Sequence, residues 1–180
     1  MRVAVIDSSP LINLAHLNLA LELANFFDRV YVPRAVQREL NRKGRFRYKL
    51  NKLYATGFFE RCAAADATNV QFLRAELDEG ESEALIQAQE RQAHAFIGDD
   101  RQARVIAERM GRKSVGTLRL LARLSLEGRA ASVERLVAVC AKIWISGSPT
   151  NSSGRQSKRL PSQSDIQEPS YHRKGDCLNV

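Results

Sequence analysis

The sequence predicts an α/β fold, a doubly wound sheet with helices packed on both faces. Three observations carry that expectation. Short apolar runs rich in β-branched residues alternate with segments whose apolar residues recur at helical spacing. The first run, Val3–Ile6, is unbroken, as a strand buried on both faces of a parallel sheet should be. Two runs end in acids: Asp7 follows the first, and Asp99 with Asp100 follows residues 95–97. With 180 residues, 44% of them hydrophobic, the chain has material for one ordinary core, so one domain is expected.

The elements follow in order. Ser8, Ser9 and Pro10 start a helix, and residues 11–27 read as two short helices or one broken one. A strand follows at 29–32. Pro33, at a first helical position, opens the next helix, which runs to about Asn41. Residues 58–63 fit either a strand or the end of a helix. Residues 71–92 are helical in two pieces, with the break near Gly80. A strand at 95–97 leads to a helix at 101–110 that carries Ala103, Ile106, Ala107 and Met110 on one face and ends at Gly111. Val115 lies in a last short strand, residues 117–127 form a helix closed by Gly128, and Ser132 caps a final helix to about Trp144. Beyond it the composition changes. Residues 146–180 are rich in Ser, Gln, Gly and Pro with isolated apolar residues, too few to offset the entropy of ordering. The expected division is a domain at 1–145 and a disordered tail at 146–180.

The chain carries a formal charge of +8, and its distribution is lopsided. Residues 34–52 hold Arg34, Arg38, Arg42, Lys43, Arg45, Arg47, Lys49 and Lys52 against Glu39 alone, a local +7. Phe46, Tyr48 and Tyr54 interleave with these cations, a pattern suited to backbone phosphates and ring stacking on exposed bases. Arg42, Lys43, Arg45, Arg47, Lys49 and Lys52 are the candidate nucleic-acid contacts; the other reading is a solvated basic helix. No apolar run approaches the roughly 20 residues a membrane helix needs, and Asp7 interrupts the start where a signal peptide would be apolar, so a cytoplasmic protein is expected. Cys62, Cys140 and Cys177 are far apart and in no CxxC spacing, which supports neither a disulfide framework nor a zinc site.

In a doubly wound sheet, ligands bind in the crevice at the carboxyl ends of the strands. That gives Asp7, Asp99 and Asp100 their interest, since close carboxylates repel and need a cation to tolerate one another. Asp7 has a second reading as a helix cap. Glu39, on the helix after the second strand, could join them or form an ion pair with Arg42 or Lys43. In the run from Asp78, Glu81 precedes Ala84, Leu85 and Ala88 by three, four and seven residues, so it is expected on the buried face; Glu83, turned about 200° away, is the expected surface charge. Asp78 with Glu81 also has capping-box spacing. Hard carboxylate oxygens suit Mg²⁺ or Mn²⁺, which bind phosphate oxygens and activate water for attack on a phosphodiester. The chain has no GxxxxGK[ST] loop or GxGxxG turn, and His16, His94 and His172 fit structural or solvent positions better than those of bases.

Taken in order, Val-Ile-Asp7-Ser8-Ser9-Pro-Leu-Ile, Val-Tyr-Val-Pro33 followed by Val36 and Glu39, Gly80-Glu81-Ser-Glu-Ala84, and Ile-Gly-Asp99-Asp100-Arg-Gln-Ala-Arg resemble a PIN-domain nuclease. Val115-Gly116-Thr117-Leu is similar to a subgroup close to the VapC-type toxins. The resemblance covers about residues 2–145. It implies a small three-layer α/β sandwich with a central, mostly parallel sheet, Mg²⁺ or Mn²⁺ held by carboxylates, and cleavage of RNA. By position it implies catalytic roles for Asp7, Glu39, Glu81 and Asp100. Metal contacts are implied for Asp7, Asp99, Asp100 and Glu81, with support from Ser8, Ser9 and Thr117. RNA, a small antitoxin protein and a second copy of the chain are the candidate partners. Gly98 departs from the pattern, standing where many relatives have Thr.

Two functions from other classes remain open at this point. One is a nucleic-acid-binding or regulatory module with a degenerate acidic site. The other, a phosphoacceptor domain of receiver type, is disfavoured because the acidic pair comes late and Lys113 precedes the last strand instead of following it.

Overall fold

The computed structural model describes residues 1–42 and 47–147. The expectations for Lys43, Arg45, Phe46 and the tail beyond Gly147 lie outside the described residues. Five strands, β1 (Val3–Ile6), β2 (Arg29–Pro33), β3 (Phe59–Cys62), β4 (Ala95–Ile97) and β5 (Lys113–Val115), form one all-parallel sheet in the order β3-β2-β1-β4-β5. The helices are α1 (Ser8–His16), α2 (Arg34–Arg42), α3 (Arg47–Ala55), α4 (Ala67–Leu73), α5 (Glu79–Glu90), α6 (Arg101–Arg109), α7 (Thr117–Leu126) and α8 (Val133–Gly147), with a short 3₁₀ segment at Ala20–Asn25. The sheet grows outward from β1 in one direction through β2 and β3, and in the other through β4 and β5. The switch point therefore lies between β1 and β4, which pair from Ala4↔Ala95 to Ile6↔Ile97.

Strand alternation divides the core into two layers. Ala4 and Ile6 face Leu11 and Leu14 of α1, Leu23 and Phe27, and Leu121 and Leu124 of α7. Val5 and Phe96 face the other way, against Leu85 and Ala88 of α5 and Ala103 and Ala107 of α6. Leu14, Leu23, Leu85, Leu121 and Leu124 are at most 1% exposed, and burying each contributes about 1.5–3 kcal/mol. Gly111 (φ +73°) and Gly128 (φ +68°) take the left-handed conformation that closes α6 and α7 as expected.

Several expectations need correction. Pro33 ends β2 in register with Cys62 instead of opening α2, which starts at Arg34. The break between α4 and α5 falls at residues 74–78, and Gly80 sits inside the first turn of α5. Residues 58–63 resolve as a strand, β3, and the basic segment contributes a helix of its own, α3. The last helix continues to Gly147, past its expected end near Trp144.

Candidate acidic site at the strand switch point

Asp7 extends the β1–β4 ladder by one step: its amide donates to the Ile97 carbonyl at 2.9 Å, which sets it beside Gly98 at the mouth of the crevice. It is also the N-cap of α1, in extended backbone, yet its side chain makes no capping hydrogen bond. The residue is only 5% exposed and its Oδ1 has no hydrogen-bond partner. Burial raises its pKa from 3.8 to about 7, the Ser8 amide takes back part of that rise, and the charges of Asp78, Glu81 and Glu39 add to it. Ser8 and Ser9 follow in the first turn of α1, the first buried and the second half-buried.

The carboxylates that act on Asp7 come from two helices. Asp78 and Glu81 form a capping box at the start of α5: Glu81 N donates to Asp78 Oδ1 at 2.8 Å, and Asp78 N donates to Glu81 Oε2 at 3.2 Å. Gly80 faces the same spot: a Cβ there would lie 3.4 Å from Asp7 Oδ1 and 3.5 Å from Asp78 Oδ1, ordinary contact distances. Glu39 approaches from α2, half-buried.

The acids after β4 are turned to structural work. Asp100 caps α6, its Oδ1 accepting from Gln102 N at 2.7 Å and Ala103 N at 3.0 Å. Both oxygens of Asp99 are held by Thr117, Oδ1 by the backbone N–H at 2.7 Å and Oδ2 by the hydroxyl at 2.6 Å. Asp99 thereby does for α7 what its own N-cap residue, Gly116, lacks a side chain to do. A Cβ at Gly116 would come 2.9 Å from Arg104 Nη1, at the movable end of that side chain, and 3.3 Å from Asp99 Oδ1. At Gly98 a Cβ would fall on Cε1 and Cζ of the Phe96 ring. The absent Thr thus has a local cause, because an aromatic ring occupies the space its side chain would need.

The helix-angle argument for α5 is overturned. Glu83 is the buried acid, 8% exposed, and accepts from Ala35 N at 2.6 Å and Ala64 N at 3.3 Å, tying α5 to the start of α2 and the end of β3. Glu81 is the more exposed of the two. The reason is packing on several sides: α5 touches the sheet, α2, α4 and α6, so residues 82–88 are all buried and one apolar stripe cannot define its inward face.

Among the described cations of the basic segment, Arg42, Arg47 and Lys52 are exposed, and Lys52 lies over the ring of the exposed Tyr48, 4.6 Å from its centroid. Lys49 instead donates to the Ala15 carbonyl at 2.9 Å and fastens α3 to the end of α1. Sequence reasoning assigned Asp78 only a capping role and missed it as a charge that acts on Asp7. Among the described residues, no three His, Cys, Asp or Glu side chains are grouped at ligand distance for one metal ion. None of the described helices is long and apolar enough to cross a membrane.

A family model described as a PIN domain matches residues 3–148. The fold is similar to that of a PilT N-terminus domain protein from the hyperthermophilic archaeon Sulfolobus solfataricus, at 17% identity and a TM-score of 0.48, covering 77% of this chain and 92% of that one. Among curated proteins, none matches the chain.

Proposed function

The chain belongs to the PIN-domain family, a nuclease-type family, and from that premise we propose that it is a Mg²⁺- or Mn²⁺-dependent endoribonuclease, the toxin of a toxin–antitoxin pair. The observation that carries the reading is Asp7. A carboxylate this buried, with an orphaned oxygen and three acids around it, is held at the switch point against its own electrostatics. Such a group calls for a proton or a cation, and its hard oxygens and those of its neighbours fit Mg²⁺ or Mn²⁺. Asp7 would hold the ion together with Glu39, Glu81 and Asp100, and Asp99 would border it. When bound, the ion supplies a water activated for attack on the phosphodiester and stabilises charge on the phosphate oxygens.

The chain's own residues do the rest. Reciprocal capping of Asp78 and Glu81 holds the α5 end of the site in place. The Thr117 clamp on Asp99 fixes the α7 end, and capping of α6 holds Asp100 in place. Exposed Arg42, Arg47 and Lys52 contact the phosphates of the strand and Tyr48 stacks on a base. In this reading the nuclease domain is residues 1–145, residues 146–180 are a tail, the protein acts in the cytoplasm, and a small antitoxin or a second copy of the chain is its protein partner.

The test is cleavage of single-stranded RNA by the full chain in Mn²⁺, in Mg²⁺ and in EDTA, beside the Asp7→Asn variant. Internal cuts that need the metal and fall by orders of magnitude in Asp7→Asn support the proposal. RNA bound but never cut in either metal would replace it with the non-catalytic binding module.

A further inference from the structure

On the flank of α2 away from the acids lies a small polar cavity of about 220 Å³, bounded by α2, α3 and β3. Six polar side chains line it: Gln37, Asn41, Arg47, Asn51, Tyr54 and Arg61. Three are carboxamides, each offering a donor and an acceptor side by side. Gln37 spends one amide proton on the Val32 carbonyl at 2.8 Å, which fixes the group. Tyr54 is the informative member. Its hydroxyl is shielded from solvent and makes no well-formed hydrogen bond; the Arg61 guanidinium lies over its ring, 4.5 Å from the centroid, and offers the oxygen only a poorly aligned donor. Burial outweighs that nearby cation and lifts the phenol's pKa to about 12, so the group is a neutral O–H at any physiological pH. A buried hydroxyl left without a well-formed hydrogen bond destabilises a fold and is kept where something else completes it.

We propose that this cavity is a base-reading subsite, which takes one unpaired ribonucleotide base of the RNA and discriminates its edge through Asn41, Asn51 and the Tyr54 hydroxyl. The inference rests on the nuclease reading and deepens it. The chemistry of the lining fits: single-stranded RNA is recognised by splaying bases out, stacking them on aromatic or guanidinium planes and hydrogen-bonding their edges. Arg47 and Arg61 supply charge for the flanking phosphates. The volume is below the roughly 300 Å³ at which drug-sized pockets begin, which suits a single base. Placement also fits. Glu39, directed to Asp7, and the pair Gln37 and Asn41 are two residues apart on α2, about 200° around the helix. The cavity and the acids therefore sit one helix width apart, about 10 Å, so a strand crossing α2 could reach both. Past Asn51, Tyr54 and Arg61 the cavity opens into a wider groove along the outer edge of β3, bounded by Gly57 and Glu60, where the chain of a bound strand could continue.

The experiment measures binding of fluorescein-labelled rA6, rC6 and rU6 to the full chain in EDTA, by anisotropy. The expected result is a preference for one base over the weakest of about fivefold or more, since one well-made edge contact discriminates by about five- to a hundredfold. Asn41→Ala with Asn51→Ala should erase that preference while leaving the dependence of binding on salt. Tyr54→Phe, which removes only that oxygen, should weaken the preference with no loss of melting temperature, a pattern that a merely structural hydroxyl would not give. Equal binding of the three oligomers, no binding at all, or a preference unchanged in these variants overturns the proposal. Metal-dependent cutting without base preference would sink the subsite and leave the nuclease; base preference without cutting would do the reverse.

Discussion

Replacing Asp7 with Asn should make the metal-free protein more stable at pH 8. The buried carboxyl has its pKa raised from 3.8 to about 7, so the folded chain holds this proton over a pH range in which the unfolded chain has lost it. Stability falls wherever the folded state binds more protons than the unfolded one, so it declines as pH rises from about 4 to about 7 and then levels off. The full span corresponds to roughly 4 kcal/mol, an upper figure because relaxation around the charge reduces it. Asn keeps the shape without the charge. The variant should therefore gain about 2–4 kcal/mol at pH 8, a rise in melting temperature of about 4–16 °C for a domain of this size, and gain almost nothing at pH 4. Thermal melts of both proteins in EDTA at several pH values give the difference curve, in which titrations common to both cancel. Adding Mn²⁺ should raise the melting temperature of the unmodified protein and leave the variant nearly where it was. A variant less stable than its parent at pH 8, or a difference independent of pH, would refute the picture of a desolvated acid with an orphaned oxygen.

Four further outcomes are expected. Glu83→Ala orphans the amides of Ala35 and Ala64 and should cost about 2–4 kcal/mol in urea unfolding, with Glu83→Gln losing less; a loss under about 0.5 kcal/mol would mean the tie is not made. Gly98→Thr forces a side chain into the Phe96 ring and should cost about 1–3 kcal/mol, and adding Phe96→Leu should relieve part of it, a coupling of about 1 kcal/mol in a double-mutant cycle. Changing Arg42, Arg47 and Lys52 to Gln should each reduce the log–log salt slope of RNA binding by about 0.7. Lys49→Gln should leave that slope alone and lower the melting temperature, because its ammonium holds the Ala15 carbonyl.

Much of the architecture can be read directly from local signals. An unbroken apolar run is enough to mark β1 as a strand buried on both faces, and Gly111 and Gly128 end their helices by the conformation only glycine adopts freely. The strand-end position of Asp7 follows from the same run, and with it the place of the crevice. What escapes is whatever depends on a third element. Glu83 looks like a surface charge until α2 and β3 supply two amides for it, and Glu81 looks inward until α5 is found to be enclosed on several sides. Asp99 and Asp100 are equivalent in the sequence; only the arrival of Thr117 separates them, one bound across to α7 and the other to its own helix. Pro33 carries the signature of a first helical residue, but pairing with β3 keeps it in the sheet.

The acids of this site share a position as well as a charge: Asp7, Asp78 and Asp100 are each the N-cap of a helix, and Asp99 reaches across to the first amide of another. The start of a helix carries the equivalent of roughly half a positive charge. Four such ends, those of α1, α5, α6 and α7, are thus interleaved with four carboxylates along one edge of the sheet. Seen from a few ångströms away the helix ends offset about half of the carboxylate charge, and an approaching polyanion meets a rim less negative than a count of side chains alone would forecast. The helix ends thus soften the repulsion among the acids and towards a phosphate backbone, and the cations of α2 and α3 are left to supply the attraction that decides where that backbone lands.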